Sequence, residues 1–330
     1  MKREESNGFY YCLNSCNSRT PELLTSELLT PELLTPVLLH PKQREENMNI
    51  IAISRGTRFS PNHVGNDAAI YNKVIEELLR MGHSVRSYTE DEFAEAPLDE
   101  LASASSDGLP EVVVTMARDK QTLARLLEWE ARGVRIINSP RGILNCVRRP
   151  MTELLLAHNV PHPRSWIVAT DEPLPAEVTF PCWLKRGDSH VVVKQDVCYA
   201  TTRDEAIRVV ADMREREIPT VVINEHLAGD LVKFYGVQGN DFFHWFYPSA
   251  HSHSKFGLEA INGLAQGFPF DPAHLKECAD EAARVLDVPV YGGDAVVMAD
   301  GALRIIDFND WPSFAPCREE AARAIARRVR

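Results

Sequence analysis

The chain has 330 residues, of which 44% are hydrophobic and 25% charged, as in an ordinary globular protein of two or three domains. Its formal net charge of −11 gives no electrostatic case for binding nucleic acid or an anionic membrane surface, so any anionic ligand must be held by local basic groups. The seven cysteines are odd in number and form no Cys-x-x-Cys pair, which favours a reducing compartment. No apolar run has the length of a spanning helix, and the N-terminus lacks a signal-peptide core. We therefore expect a cytoplasmic protein without nucleic-acid or membrane partners.

The N-terminal segment 1–47 is a leader of low complexity. Residues 20–39 repeat with period five (TPELL, TSELL, TPELL, TPVLL), which matches neither helix nor strand, and the recurring prolines interrupt any helix. We predict disorder for this segment. Because an apolar strand follows Met48 at once, we expect Met48 to be the true start of the protein. The alternative is a docking tail whose leucines bind a partner.

Residues 48–140 alternate strand and helix patterns, which predicts a small doubly wound parallel sheet with ligands near the carboxyl ends of its strands. Arg55 and Arg58 follow the first strand, where they either bind an anionic group or are solvated loop residues. The loop lacks Gly-x-Gly-x-x-Gly, so we predict no dinucleotide site. The predicted strands are 49–54, 84–88, 112–116 and 134–138, and the predicted helices are 67–81, with Asn66 as N-cap, and 119–132.

The remaining residues, 141–330, mix strands and helices without this alternation. Segment 248–269 reads as a long loop, and its pair His251-x-His253 is too weak a signal to predict a metal site. The predicted strands are 165–169, 180–185, 191–194, 220–224, 232–238 and 242–247, and the predicted helices are 149–159, 202–215 and 272–286.

A hairpin is predicted within residues 290–314, which read VYGGDAVVMADGALRIIDFNDWPSF. Asp300-Gly301 is a strong signal for a two-residue type I′ turn, because both central residues of that turn need positive φ. Counting outward from this turn puts Asp294 directly opposite Asp307.

Opposed carboxylates repel each other, so we expect a partner that offsets this cost. Asn309 points to the same face as Asp307, since alternate residues of a strand share a face. Carboxylate and amide oxygens suit a hard divalent cation such as Mg²⁺, which commonly binds phosphate oxygens as well. The pattern predicts a metal-phosphate platform, with a surface hairpin of solvated acids as the alternative.

A second phosphate signal lies at Lys185, which ends the strand predicted over 180–185. The polar loop 186–190 follows it and leads into the next predicted strand. A strand, a loop and a strand with a terminal lysine can cover a phosphate group, since main-chain N–H groups approach closely there.

These features together resemble the ATP-grasp superfamily over about residues 140–330. The metal motif of that family is an acid, twelve intervening residues and then Asp/Glu-x-Asn-x-x-Pro. This resemblance implies an α/β fold, α+β in its C-terminal part, in which a small doubly wound parallel sheet precedes an ATP-grasp fold that holds ATP between two sheets. It implies an N-terminal domain at 48–140 and an ATP-grasp domain at 141–330, which follow the low-complexity leader at 1–47. The residues that match the metal motif are Asp294, Asp307, Asn309 and Pro312.

The resemblance also implies roles for further residues. Arg148 stands thirteen residues before Pro161, where the family usually has a lysine on the nucleotide phosphates, and Arg149 is the adjacent alternative. The implied cofactors are ATP and Mg²⁺, with Mn²⁺ as a substitute. The implied contacts are Arg148 and Lys185 with the phosphates, the hinge residues Glu225, His226 and Leu227 with adenine, Asp230 with the ribose, and Asp294, Asp307 and Asn309 with the metal; Arg148, Lys185 and Lys233 are the predicted catalytic residues.

Three activities follow from this resemblance. Most members are carboxylate-amine ligases that act through an acyl phosphate, and the glutathione synthetase-like branch has a similar domain order. The alternative is a kinase, because residues 232–237 resemble a strand of inositol trisphosphate 5/6-kinases, with Lys233 beside the transferred group. A non-catalytic ATP-binding protein is the third. We favour the ligase because a short apolar strand is a weak motif.

The substrate is accordingly a small molecule, either a carboxylate and an amine or a phosphorylatable hydroxyl. The resemblance leaves a homodimer open. A kinase of this type needs a strongly basic acceptor pocket, for which the scattered candidates are Arg55, Arg58, Lys255 and Arg318.

Overall fold

The computed structural model describes residues 47–61, 63–97, 101, 108–191, 193–248 and 261–330. The predictions for the leader up to residue 46 and for His251, His253 and Lys255 lie outside these residues. Within the described residues, no helix is long and apolar enough to cross a membrane. The five cysteines that the structure describes are all free thiols.

The first sheet is parallel, with strand order β2-β1-β3-β4 and helices on both faces, so the predicted doubly wound arrangement is confirmed. Ile50 and Ala52 of β1 pack on one face with α1, whereas Ile51 and Ile53 pack on the other face with α3. The elements are β1 (Asn49–Ile53), α1 (Val64–Arg80), β2 (Ser84–Tyr88), α2 (Glu90–Glu95), β3 (Val112–Thr115), α3 (Lys120–Ala131) and β4 (Arg135–Ile137).

The start predicted for α1 is wrong. The helix begins at Val64, and His63 occupies the N-cap position without a side-chain cap. Asn66 lies in the first turn instead, where its side-chain oxygen accepts a hydrogen bond from Arg318 at 2.5 Å. The Asn66 side chain therefore does not cap the helix, because it binds a residue 252 positions away in the chain.

The second sheet is antiparallel, with strand order β5-β8-β6-β7. One face packs against α6 through buried apolar residues, and the opposite face carries Trp183 and Lys185. The elements of this region are α4 (Pro140–Asn145), α5 (Arg148–Ala157), β5 (Ser165–Ala169), β6 (Cys182–Arg186), β7 (Val197–Ala200), α6 (Arg203–Glu215) and β8 (Thr220–Glu225).

The strand predicted over 191–194 is wrong in its described part. Lys194 begins a short 3₁₀ turn, and the strand follows at Val197. The cause is Asp196, whose buried carboxylate accepts a hydrogen bond from the Val193 N–H and pairs with Arg216.

The third sheet is also antiparallel, with strand order β10-β9-β11-β12, and α7 packs on one face. The last helix, α8, packs against α1 and joins the core of the first sheet. The elements are β9 (Asp230–Val237), β10 (Phe243–Phe246), α7 (Pro272–Leu286), β11 (Val290–Val297), β12 (Leu303–Asp310) and α8 (Arg318–Arg328).

Candidate functional site

A cavity of about 520 Å³ lies between the second and third sheets and reaches the carboxyl end of β1. Trp183 and Lys185 line it from the second sheet, and Lys233 and Asp294 line it from the third. Its position between two antiparallel sheets is the one that the predicted fold implies for a nucleotide.

The turn of the β11–β12 hairpin differs from the prediction. Met298 pairs with Ala302, and the Gly301 N–H donates to the Met298 carbonyl at 2.8 Å. The loop therefore holds three residues, and Gly301 alone takes the positive φ that the turn needs, at 82°. The predicted two-residue turn is wrong.

Asp294 nevertheless lies opposite Asp307, as predicted. The longer turn shifts the pairing by one residue, so that Ala295 faces Ile305. A β-bulge at Ile306 adds one residue to β12 and shifts the pairing back. The opposition of the two acids therefore depends on the bulge, which the turn signal could not reveal.

The two carboxylates form the centre of a row of four charged residues, three on strands and one on a helix. Lys233 of β9 pairs with Asp294 at 3.0 Å, and Arg148 of α5 lies 2.8 Å from Asp307. Burial alone would raise the pKa of Asp307, but the positive charges of Arg148 and Lys185 lower it below its ordinary value. Asp307 is thus held in its charged form.

Lys185 is the third cation of the site. It is 7% exposed, and its Nζ donates to the carbonyl oxygen of Ile306 at 3.0 Å, so the lysine contacts the bulge itself. Burial and the nearby charge of Arg148 lower its pKa to about 7, although Asp307 and Asp294 act in the opposite direction. An anion bound beside Lys185 would favour its charged form.

The side chain of Asn309 lies beside Asp307, since its Nδ2 donates to Asp307 Oδ2 at 3.3 Å. Among the described residues, no three His, Cys, Asp or Glu side chains gather to hold a metal ion. The candidate set is therefore two carboxylates and one amide. Such oxygen donors fit Mg²⁺ when a phosphate ligand supplies further oxygens.

Arg148 is a second candidate for binding an anion. It is 8% exposed, and its Nε is buried without a hydrogen-bond partner among the described residues. Buried guanidinium groups are normally paired, so an unpaired donor at this cavity fits a phosphate ligand. Arg148 and Lys185 both lie near Asp307, and their contact with phosphates stays a prediction.

The predicted adenine hinge lies at the end of β8. Glu225 and Leu227 line the cavity. The ring of His226 accepts a hydrogen bond from Trp183 Nε1 at 3.2 Å, and its main-chain N–H donates to Pro181. All three residues are hydrogen-bonded within the protein, since the Glu225 N–H donates to the Arg164 carbonyl at 2.9 Å and the Leu227 carbonyl accepts from Asn262 at 3.1 Å. Only Glu225 and Leu227 also line the cavity.

Asp230, predicted to contact the ribose, is not among the residues that line the cavity. It is 2% exposed, and its carboxylate accepts hydrogen bonds from three consecutive N–H groups of residues 266–268 at 2.7 to 2.9 Å. Its carboxylate oxygens already bind residues 266–268, so the geometry does not support the predicted contact with the ribose.

Arg55, named from the sequence as an anion ligand or a solvated loop residue, is buried in a charged cluster of the cavity wall whose other members the sequence did not reveal. Asp310 is 1% exposed and pairs with Arg118 at 2.6 Å and with Arg55 at 3.3 Å. Arg55 also pairs with Asp67, and all four residues line the cavity. Asp310 follows Asn309 directly in the sequence, which was a signal for its presence near the site. Its pairing could not be predicted, because its partner Arg118 is 192 residues away.

The fold is the ATP-grasp fold, as the sequence predicted. One similar structure is the D-alanine–D-alanine ligase from Bacillus anthracis complexed with ATP, with a TM-score of 0.59, 15% identity, and coverage of 86% of this chain and 98% of that chain. The RimK domain ATP-grasp protein from Sphaerobacter thermophilus gives a TM-score of 0.58 at 16% identity, covering 85% and 99% of the two chains. The ATP-grasp ligase PsnB complexed with minimal precursor gives 0.54 at 20% identity, covering 86% and 99%. No family model and no curated protein sequence matches the chain.

Proposed function

We propose that this protein is an ATP- and Mg²⁺-dependent ligase that joins a carboxylate to an amine. A carboxylate oxygen of the first substrate attacks the γ-phosphorus of ATP, and ADP leaves with the electrons of the broken P–O bond. The amine then attacks the acyl carbon, phosphate leaves with the C–O electrons, and the nitrogen loses one proton. One C–N bond forms for each ATP consumed.

The observation that carries this proposal is the row Lys233, Asp294, Asp307 and Arg148, with Lys185 beside it on the cavity wall. Three basic and two acidic side chains therefore lie close together on the wall of the cavity between the second and third sheets. Arg148 and Lys185 would neutralise phosphate charge, which is the main requirement of phosphoryl transfer. The sheets on both sides would exclude water from the acyl phosphate.

Asp294, Asp307 and Asn309 would hold the metal ion. Their oxygen donors suit Mg²⁺, and Mn²⁺ would substitute for it. A bound metal would supply charge neutralisation at the phosphate and orient the transferred group.

We place the acceptor substrate beside the cluster of Arg55, Asp67, Arg118 and Asp310, which we call the acceptor end of the cavity. The charges there favour the ligase over an inositol phosphate kinase. An inositol phosphate brings several negative charges, which need cations that are not already paired. Arg55 and Arg118 are both paired with buried Asp310. Arg58 pairs with Asp91 and Asp119 at the surface. The similar structures named above include two ligases, which agrees with this choice.

The test is ADP release from ATP in the presence of Mg²⁺, with amino-acid pairs in one panel and inositol phosphates in another. The proposal predicts turnover that needs both a carboxylate and an amine, with the coupled product detected by mass spectrometry. The Asp307→Asn variant is the control for contaminating ATPases. Turnover with a hydroxyl acceptor alone would make the protein a kinase, and nucleotide binding without turnover would make it a non-catalytic binding protein.

A further inference from the structure

His162 contacts the edge of β12 at the point where the bulge interrupts its pairing with β11. Ile306 has no opposite residue in β11, because Asp294 faces Asp307 and the next pair begins at Ile305. Among the described residues β12 is the outer strand of the third sheet, so no further strand covers this irregularity. The main-chain polar groups at the bulge therefore need partners from outside the sheet.

The segment Pro161-His162-Pro163 supplies the partners of Ile305. The Ile305 N–H donates to the Pro161 carbonyl at 2.8 Å. In an antiparallel residue pair the second residue would return its own N–H to the Ile305 carbonyl, but proline has none. The imidazole of His162 takes its place, with Nδ1 at 2.7 Å from the Ile305 carbonyl oxygen. One side chain therefore completes the hydrogen-bonded pair that the proline leaves open.

The imidazole of His162 makes this bond as a donor, because a carbonyl oxygen can only accept. Burial lowers the pKa of His162 to about 3, and the charges of Lys185 and Arg148 act in the same direction. The ring is therefore neutral near pH 7, with its proton on Nδ1. Its other nitrogen, Nε2, is buried without a hydrogen-bond partner among the described residues. Such a nitrogen lowers stability, so packing alone does not favour histidine here over an apolar side chain.

We propose that His162 is a positioning residue of the metal site, which fixes the bulge of β12 through the Ile305 carbonyl. This proposal rests on the proposed Mg²⁺-nucleotide site. The bulge brings Asp307 opposite Asp294 and directs the carbonyl of the bulged residue to Lys185 Nζ at 3.0 Å. Without the imidazole donor, the Ile305 carbonyl loses a buried partner and its peptide group can turn. The separation of the two carboxylates and the position of the lysine would then both vary.

The test measures how strongly Mg²⁺ improves the binding of ADP. Isothermal titration calorimetry of the full chain gives the dissociation constant of ADP with Mg²⁺ and with EDTA, and the ratio of the two needs no knowledge of the acceptor substrate. In His162→Leu, which removes the donor at similar size, this ratio should fall at least about tenfold, because a buried carbonyl loses its donor. Metal-free binding of ADP should stay within about threefold of the wild type, since Arg148 and Lys185 keep their charges.

Two variants with side-chain amides separate the donor from the shape of the ring. His162→Asn places an N–H donor close to the position of Nδ1, so its ratio should stay within about threefold of the wild type. His162→Gln places its amide further out, close to the position of Nε2, so its ratio should fall as in His162→Leu. Because the two amides differ by a single methylene group, general damage to the fold would not separate them.

The matched control is His83→Leu, which removes a buried histidine away from the cavity. His83 is 4% exposed and is not among the residues that line the cavity. Its Nδ1 accepts a hydrogen bond from the main-chain N–H of Met48 at 3.3 Å. This variant also loses a contact between a histidine and the main chain, but beside the first sheet, so the ratio should not change.

Each outcome supports or overturns the role of His162. A wild-type ratio in His162→Gln and in His162→Leu overturns it and leaves the metal site intact, and His162→Gln decides alone if His162→Leu does not fold. A loss in His162→Asn or His83→Leu as large as in His162→Gln also overturns it. If Mg²⁺ does not improve the binding of ADP to the folded wild-type protein, the proposed metal site fails and this inference fails with it.

Discussion

Asp294 and Asp307 face each other across β11 and β12 because a bulge at Ile306 compensates for a three-residue turn. The bulge also presents the Ile306 carbonyl to Lys185. One irregularity of β12 therefore sets both the separation of the acids and the position of the nearest buried lysine.

Neutralising either acid should remove metal-dependent turnover. We expect Asp307→Asn and Asp294→Asn each to lower Mg²⁺-dependent ATP turnover by about 100-fold or more, because the metal would lose a charged ligand. Steady-state ADP release as a function of Mg²⁺ concentration measures this. Asp307→Asn should also destabilise the free protein by about 1–3 kcal/mol, since Arg148 loses its partner. Wild-type turnover in both variants would contradict the site.

Gly293 permits the close approach of β11 to β12. A Cβ at this position would lie 2.4 Å from the Asp307 carbonyl oxygen and 2.6 Å from Phe234 Cζ. We therefore expect Gly293→Ala to lower the free energy of unfolding by about 1–3 kcal/mol and to reduce turnover, because β12 must move. Chemical denaturation measures the first effect.

The matched control for Gly293 is Gly65→Ala, because a Cβ on Gly65 would meet no atom within 4 Å. Gly65 lies in α1, where alanine is favoured over glycine by up to about 1 kcal/mol. If Gly65→Ala lowered the free energy of unfolding and the turnover as much as Gly293→Ala does, the contact between position 293 and Asp307 would not be the cause.

Nucleotide binding should take up a proton at Lys185. Burial lowers the pKa of Lys185 to about 7, so at about pH 8 most of the free protein carries a neutral lysine. A bound polyphosphate favours the charged form and raises this pKa, so binding of ADP should take up about one proton. Calorimetry in two buffers of different ionisation enthalpy measures the uptake. Lys185→Met should abolish it, and binding to the wild type without uptake would contradict the assignment.

Asp310 should stabilise the folded protein, because it is the shared partner of Arg55 and Arg118. In Asp310→Asn the buried guanidinium groups of Arg55 and Arg118 lose their shared anion, so we expect a loss of about 3–5 kcal/mol in the free energy of unfolding. Urea denaturation measures this loss. The matched control is Asp91→Asn, whose partner Arg58 is half exposed, and its effect should stay below about 1 kcal/mol. Similar losses in the two variants would refute the role of Asp310.

The sequence could predict what local patterns determine. Pro272–Leu286 forms the helix expected from its apolar spacing, and the buried strand at Val112–Thr115 lies where an unbroken run of valines indicated it. The acids of the metal motif also lie together as expected. In each case the signal and its consequence involve neighbouring residues or a single hairpin.

The features that could not be predicted depend on distant partners. Two short helices, at Glu90–Glu95 and Pro140–Asn145, are too short for a periodic pattern to show. Asp230 looks like a ligand residue in the sequence, yet main-chain groups of residues 266–268 use its carboxylate. No local rule connects such pairs, because tertiary packing decides them.

The central claim is that Asp294 and Asp307 share one metal ion at the nucleotide. The most direct measurement is the anomalous diffraction of Mn²⁺ in a crystal of the protein with a non-hydrolysable ATP analogue. The account predicts one peak about 2.1 Å, within ~0.2 Å, from an oxygen of each carboxylate and from a phosphate oxygen. A peak that contacts neither acid, or a bound analogue without a peak between them, would contradict it.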